Sequence, residues 1–317
     1  LDSASVPGLG QAGRGLYSEF LLSNTPRVAA IDGNGHIGWY SGGQSTEAAA
    51  ARAITLCVQH GGIDCHPYAE DLSIVWPGRQ WQPTLPPGPF VDTMNYGFVP
   101  DARFLWHGPA AALGVVVWSH GTTGTVDSRG VQPPSFLRVF NDAGFDIVRF
   151  DRAPMVDNPI RAAGWLRDGL ALMRRQGYRL VVAAGQSRGG WTSLQILDTA
   201  GLADVVIATS PAAHGSGASL NLTAQDDDLR ALIGNAQPSR TRVAIAQFAN
   251  DPFMSDGDTR ISLMERLRPK TGGLLLIDRP PGLSGHLAAG STAFNQRFAT
   301  CLLHFATEPK PPVTCAP

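Results

Sequence analysis

The sequence predicts an α/β fold, a mostly parallel β-sheet flanked by helices, preceded by a small N-terminal β-β-α-β unit. Three observations lead there. Beyond residue 90, short apolar runs alternate with longer helical patterns, the rhythm of a parallel sheet covered on both faces. The run at 113–118 is almost continuously apolar, as a strand buried on both sides must be. A stretch at 77–89 with five prolines and two glycines separates this region from a shorter one of different pattern. The expected organisation is therefore a small module with an arm over 1–80 and a larger α/β domain over 85–317.

Within the module, the first 25 or so residues are Gly/Ser-rich and aperiodic, and read as a loosely docked arm. Residues 28–31 and 36–40 read as strands joined by Asp32-Gly-Asn-Gly35, a strong hairpin signal. Ser45 is placed to cap a helix reaching about Gln59, with Glu47 in its first turn and Ala50, Ala53, Ile54 and Cys57 on one face. Residues 72–76 read as a third strand. In the larger domain a leading antiparallel hairpin fits 91–106. Strands are expected at 113–118, 145–150, 180–184, 205–208, 243–248 and 274–277, with helices at 133–144, 160–176, 190–199 and 295–306.

Composition narrows the function. The 317 residues are 43% hydrophobic and 16% charged, with a net charge of -1. That excludes a charge-driven disordered chain and gives no electrostatic reason to bind nucleic acid or an anionic membrane. The longest apolar run, 110–118, is about half of the ~20 residues a bilayer span needs. The chain starts at Leu1 without a charged and apolar leader, which reads as a mature or trimmed chain whose targeting segment is gone. Four cysteines allow three pairings. Local closure as Cys57–Cys65 and Cys301–Cys315 is the expected one, and it implies a secreted or periplasmic protein; four free thiols is the alternative. No CxxC spacing suggests a metal, and no cofactor is expected.

The chemistry centres on Gly185-Gln-Ser187-Arg-Gly189, a G-x-S-x-G pattern between an expected strand and helix. That setting exposes a serine hydroxyl above a sheet, with glycines letting strand and helix pass closely. The strand at 113–118 runs into Ser119-His120-Gly121-Thr122-Thr123, a loop able to aim an N–H at a developing oxyanion. Thr122 is the expected first donor, with Thr123 possible as donor or substrate contact, and the N–H of Arg188 is the second. His286, in a Gly-rich loop after the last strand, is the expected base; His304 and His214 are the competitors. Asp251 directly follows a strand and is the expected orienting acid, ahead of Asp256 and Asp258. Trp191 either shapes the acyl site or fills the core. Residues 220–238 interrupt the rhythm and read as a cap or a solvated surface. Arg149, Asp151 and Arg152 read as a structural ion-pair group rather than an anion site.

The order Ser187…Asp251…His286, with the His120-Gly121 loop and the Gly185–Gly189 elbow, resembles the α/β-hydrolase superfamily over about 90–305. The β-β-α-β unit resembles small cysteine-containing modules of secreted bacterial proteins, a resemblance that names no activity. The hydrolase resemblance implies an eight-strand sheet and hydrolysis through an acyl-enzyme, without metal or cofactor. It leads to a secreted serine carboxylesterase acting on a small-molecule or polymer-linked ester. An amidase or peptidase on the same residues, and an inactive hydrolase fold used for binding, are the alternatives.

Overall fold

The computed structural model describes residues 2–122, 126–213, 221–254 and 256–315. They form two compact units, Leu1–Leu85 with Ala102–Trp106, and Pro86–Asp101 with His107–Pro317.

The first unit has a four-stranded antiparallel sheet with a helix on each face. In chain order its elements are α1 (Gln11–Leu22), β1 (Arg27–Ile31), β2 (Ile37–Ser41), α2 (Thr46–Gln59), β3 (His66–Glu70) and β4 (Ser73–Ile74), and the sheet order is β2-β1-β3-β4. The two-residue period of β1 divides its side chains between two cores. Val28 and Ala30 pack with Ala49, Ala53 and Cys57 of α2, while Ala29 and Ile31 pack with Tyr17 and Phe20 of α1. The Ser45 cap forms as expected, its Oγ accepting from the Ala48 N–H at 3.2 Å. Cys57 and Cys65 are bonded, joining the end of α2 to β3.

Two expectations need correction here. The arm contains α1, and the strand expected at 72–76 is only the short β4, preceded by an unforeseen strand, β3, that pairs with β1. Gly13 and Gly15 weaken the intrinsic helical signal of α1. Tertiary packing overrides it: Tyr17 and Phe20 are wholly buried, with Tyr68 edge-on to Tyr17 at 5.8 Å. The buried Arg27 guanidinium donates to the carbonyls of Phe20, Leu21 and Ser23, satisfying the open end of the helix.

The second unit carries eight strands: β5 (Val91–Asp92), β6 (Tyr96–Pro100), β7 (Gly114–Ser119), β8 (Phe145–Arg152), β9 (Val181–Gln186), β10 (Val205–Thr209), β11 (Arg242–Gln247) and β12 (Gly273–Asp278). Their order is β12-β11-β10-β9-β7-β8-β6-β5. From β8 to β12 every neighbouring pair is parallel; β5 and β6 join antiparallel at the far edge. Between them run α3 (Leu137–Asp142), α4 (Pro159–Arg175), α5 (Arg188–Gln195), α6 (Leu222–Asn235) and α7 (Gly257–Glu265), with α8 (Thr292–Thr307) after the last strand.

Local chemistry explains these boundaries. In α4, Pro159 occupies the first turn and the Asn158 side chain caps it, accepting from the Arg161 N–H at 2.9 Å. Ala162, Ala163, Leu166, Leu170 and Met173 form its buried face at helical spacing. The helix expected at 133–144 shrinks to α3, behind the paired prolines 133 and 134. The segment at 220–238 holds α6, the crossover helix from β10 to β11, with Leu229 and Ile233 buried, so the α/β rhythm continues through it; its first residue, Leu220, lies outside the described residues. Cys301 and Cys315 are bonded, fastening the chain after α8 to that helix. Among the described residues no helix is long and apolar enough to cross a membrane.

Register decides what meets at the sheet edge. Ser119 pairs with Gly185, Gln186 with Thr209, Thr209 with Ala246, and Gln247 with Asp278. The C-terminal ends of β7, β9, β10, β11 and β12 therefore stand in one row, and the loops leaving them share that edge.

Candidate active site

Ser187 stands at the sharpest point of this row. It follows β9 directly and precedes α5, with φ 55° and ψ -121°, a conformation L-residues avoid. Holding a residue there costs on the order of 1–3 kcal/mol, and only over-determined surroundings keep it. The surroundings are present. Its N–H donates to the Thr209 carbonyl at 3.0 Å, and its own carbonyl accepts from the N–H groups of Trp191 and Ala212 at 2.9 and 3.2 Å. The flanking glycines are needed for contact: a Cβ at Gly185 would lie 2.3 Å from the Gly189 carbonyl carbon, and one at Gly189 only 1.9 Å from the Ser119 oxygen. Three more non-glycine residues with positive φ, Ser210, Asn250 and Arg279, follow β10, β11 and β12. Backbone strain thus gathers along one edge, as at sites where structure serves chemistry.

The loops after β11 and β12 bring Asp251 and His286 together. His286 Nδ1 lies 2.9 and 3.0 Å from the two Asp251 carboxylate oxygens. A carboxylate only accepts, so the proton sits on Nδ1 and the Nε2 lone pair faces away. Asp251 is further held by the Phe253 N–H at 2.9 Å, and the Phe253 ring lies 4.4 Å from the imidazole, centre to centre. The two loops are zipped to each other. Gly285 N–H donates to the Ala249 carbonyl at 2.8 Å, and Asn250 Nδ2 to Ser284 Oγ at 2.9 Å. A third tie crosses to the elbow: Gln186 Nε2 donates to the His286 carbonyl at 3.1 Å. His286 Nε2 is buried and carries no hydrogen bond among the described residues, so the Ser187 hydroxyl does not bond it in this structure. Such bonds commonly tighten only around substrate.

The competing acids and bases are engaged elsewhere. Asp256 caps α7, accepting from the Thr259 N–H at 2.9 Å, and Asp258 pairs with Arg279. His304 lies half exposed on α8, 3.5 Å from Glu308. His214 and Thr123 lie outside the described residues.

The loop after β7 is clamped from below. Arg152, wholly buried, donates from Nη1 to Ser119 Oγ at 2.6 Å, from Nη2 to the His120 carbonyl, and from Nε to Asp157 at 3.0 Å. Its backbone N–H donates to His120 Nε2 at 3.0 Å, which leaves the proton of His120 on Nδ1, directed to the Gly121 carbonyl. Burial, with the Arg152 charge beside it, lowers the His120 pKa to about 4, so the ring is neutral. Gly121 packs on the elbow: a Cβ there would lie 3.2 Å from Ser187 Cβ. Thr122 comes next, half buried, and Arg188 opens α5 with its N–H at the helix start, where no intrahelical acceptor exists. Arg149 bridges Asp101 and Asp151 at 3.1 and 3.0 Å, so Arg149, Asp151 and Arg152 form structural ion pairs. Trp191 is buried and also lines a cavity of about 610 Å³ between α4, α5 and α6. No cluster of His, Cys, Asp or Glu suited to a metal ion occurs among the described residues.

An eight-stranded sheet with strands parallel from β8 to β12, a strained serine between its fifth strand and the next helix, and loops after its seventh and eighth strands that bring Asp251 against His286 define one architecture. The chain has the α/β-hydrolase fold. No family model matches the sequence. No curated protein matches it either. Solved structures do. An esterase of Pyrococcus furiosus, Pf2001, aligns at 11% identity over 65% of this chain and 84% of its own, with a TM-score of 0.48. Est1E of Butyrivibrio proteoclasticus aligns at 12% identity over 68% of this chain and 98% of its own, also at 0.48. An acylaminoacyl peptidase of Pyrococcus horikoshii aligns at 13% identity over 71% of this chain and 42% of its own, at 0.46.

Several residues that build this hydrolase-fold site were not singled out from sequence. Gln186 sits inside the G-x-S-x-G pattern at a position the pattern leaves free. Gln225, wholly buried on α6, accepts from the Ala213 N–H at 2.8 Å and donates to the Phe253 carbonyl, joining that helix to the acid loop. A buried amide on a crossover helix has no local signature.

Proposed function

We propose that this chain is a serine hydrolase that cleaves carboxylic esters through an acyl-enzyme. The observation carrying this reading is the Asp251–His286 contact at 2.9 Å, which points Nε2 away from the carboxylate at the sheet edge that bears strained Ser187. His286 Nε2 takes the Ser187 proton as Oγ attacks the ester carbonyl. Asp251 keeps Nδ1–H in place and stabilises the imidazolium that forms. The Thr122 and Arg188 N–H groups receive the oxyanion, a contact whose loss typically costs about 10²–10³ in turnover. His286 next protonates the leaving alcohol, and then activates the water that releases the acid. Thr123 and Trp191 are assigned to the substrate-binding walls.

The substrate is a small-molecule or polymer-linked ester. Two disulfides, Cys57–Cys65 and Cys301–Cys315, support an extracytosolic setting, secreted or periplasmic. Ser187→Ala is the direct test. It is expected to fold normally, to stop hydrolysing short p-nitrophenyl esters and to lose labelling by a fluorophosphonate probe. Retention of most activity overturns the assignment, and faster cleavage of the matching anilides would make the enzyme an amidase.

A further inference from the structure

Arg188, the residue after Ser187, has two guanidinium nitrogens, Nε and Nη1, that are buried and make no hydrogen bond among the described residues. Unpaired buried donors on a charged group are costly, and native structures rarely keep them without a use. The neighbouring carboxylate does not answer for them. Asp157 is held by Arg152 at 3.0 Å. Burial and the nearby Arg152 charge lower the Arg188 pKa, with Asp157 only partly opposing them, so the cation is under-solvated where it stands. The side chain as a whole is half buried, not sealed. A cavity of about 610 Å³ opens one turn further along α5, where Trp191 and Asn158, adjacent to Asp157, are among the lining residues.

On the ester-hydrolase reading above, we propose that Arg188 is an anion receptor and that the preferred substrates are esters carrying a free carboxylate near the scissile bond. One unpaired guanidinium supplies one positive charge and a planar fork, which matches a carboxylate. A dianionic phosphate would call on a second cation, and Arg152 is already committed to Asp157, Ser119 and His120.

The test uses two matched pairs of esters: mono-4-nitrophenyl glutarate against 4-nitrophenyl pentanoate, with the charge on the acyl side, and 4-acetoxybenzoate against phenyl acetate, with the charge on the alcohol side. The readout is the ratio of kcat/KM for the charged over the neutral member, in which any disturbance of the Arg188 N–H cancels. The wild type is expected to favour the charged member of one pair, and Arg188→Gln to lower that ratio at least about tenfold, mainly through KM. Arg188→Lys, which keeps charge without the fork, should retain part of the preference. Equal ratios in wild type and Arg188→Gln for both pairs overturn the proposal while leaving the esterase reading intact. If no ester of either pair is hydrolysed, the esterase reading falls. Calorimetric titration of glutarate into the wild type and both variants then decides the anion site, which stands only if binding weakens at least tenfold in Arg188→Gln.

Discussion

His120 should make this protein acid-labile in a definite pH window. Its folded pKa is about 4 against 6.5 for an unperturbed histidine, because its ring is buried and stands beside the Arg152 charge. Between those values the unfolded chain binds a proton that the folded protein refuses. Stability from this group is therefore complete above pH 6.5, falls as pH drops from 6.5 to 4, and is gone below that. The difference is 2.5 pKa units, and at about 1.36 kcal/mol each it amounts to about 3 kcal/mol. His120→Gln keeps an acceptor for the Arg152 N–H but does not titrate, so it isolates the effect. Urea unfolding of both proteins between pH 7 and 4 gives the comparison, because carboxylates common to both cancel. The wild type should lose about 3 kcal/mol more than the variant across that range. Parallel stability curves would refute the buried neutral imidazole, and with it the account of how the 119–122 loop is held.

Three further outcomes follow from the geometry. Gln186→Leu removes the 3.1 Å bond to the His286 carbonyl; kcat on a p-nitrophenyl ester should fall about five- to tenfold, with KM nearly unchanged and the melting temperature lower by a few degrees. Gly189→Ala forces a Cβ to within 1.9 Å of the Ser119 oxygen and 2.6 Å of the His120 oxygen, and should cost about 3 kcal/mol or more, read as a melting point lower by about 6 °C or more. Replacing both Cys301 and Cys315 by serine opens a closure of 14 residues and should cost about 3 kcal/mol in a denaturant titration, without altering ester turnover.

Much of the architecture was legible because it rests on short-range rules. The strand expected at 113–118 became β7 at Gly114–Ser119, since a run apolar on both faces has few other places to go. The strand–serine–helix turn was readable for a similar reason: Gly185 and Gly189 are demanded by a close crossing that any sequence making this turn must respect. The N-terminal helix α1 was not readable. Its glycines disfavour a helix, and the burial of Tyr17 and Phe20 against strands further along the chain outweighs them. The same holds for β3, which pairs with β1 between that strand and the short β4 that the apolar 72–76 supplies.

Chain order and loop placement ranked Asp251 ahead of Asp256 and Asp258, three carboxylates within eight residues, but said nothing of what each would contact. Folding separates them, by placing Asp256 at a helix cap, Asp258 beside Arg279 and Asp251 against the imidazole. Nor did the sequence signal that Arg152 would clamp Ser119 and His120 from 33 and 32 residues away, or that Arg188 Nε and Nη1 would be buried without an acceptor among the described residues. Local patterns record what a residue needs from its immediate neighbours, such as a cap, a turn or a buried face. Which distant groups share a charge or a proton depends on strand register and the paths of the crossing loops, and these exist only once the sheet has assembled.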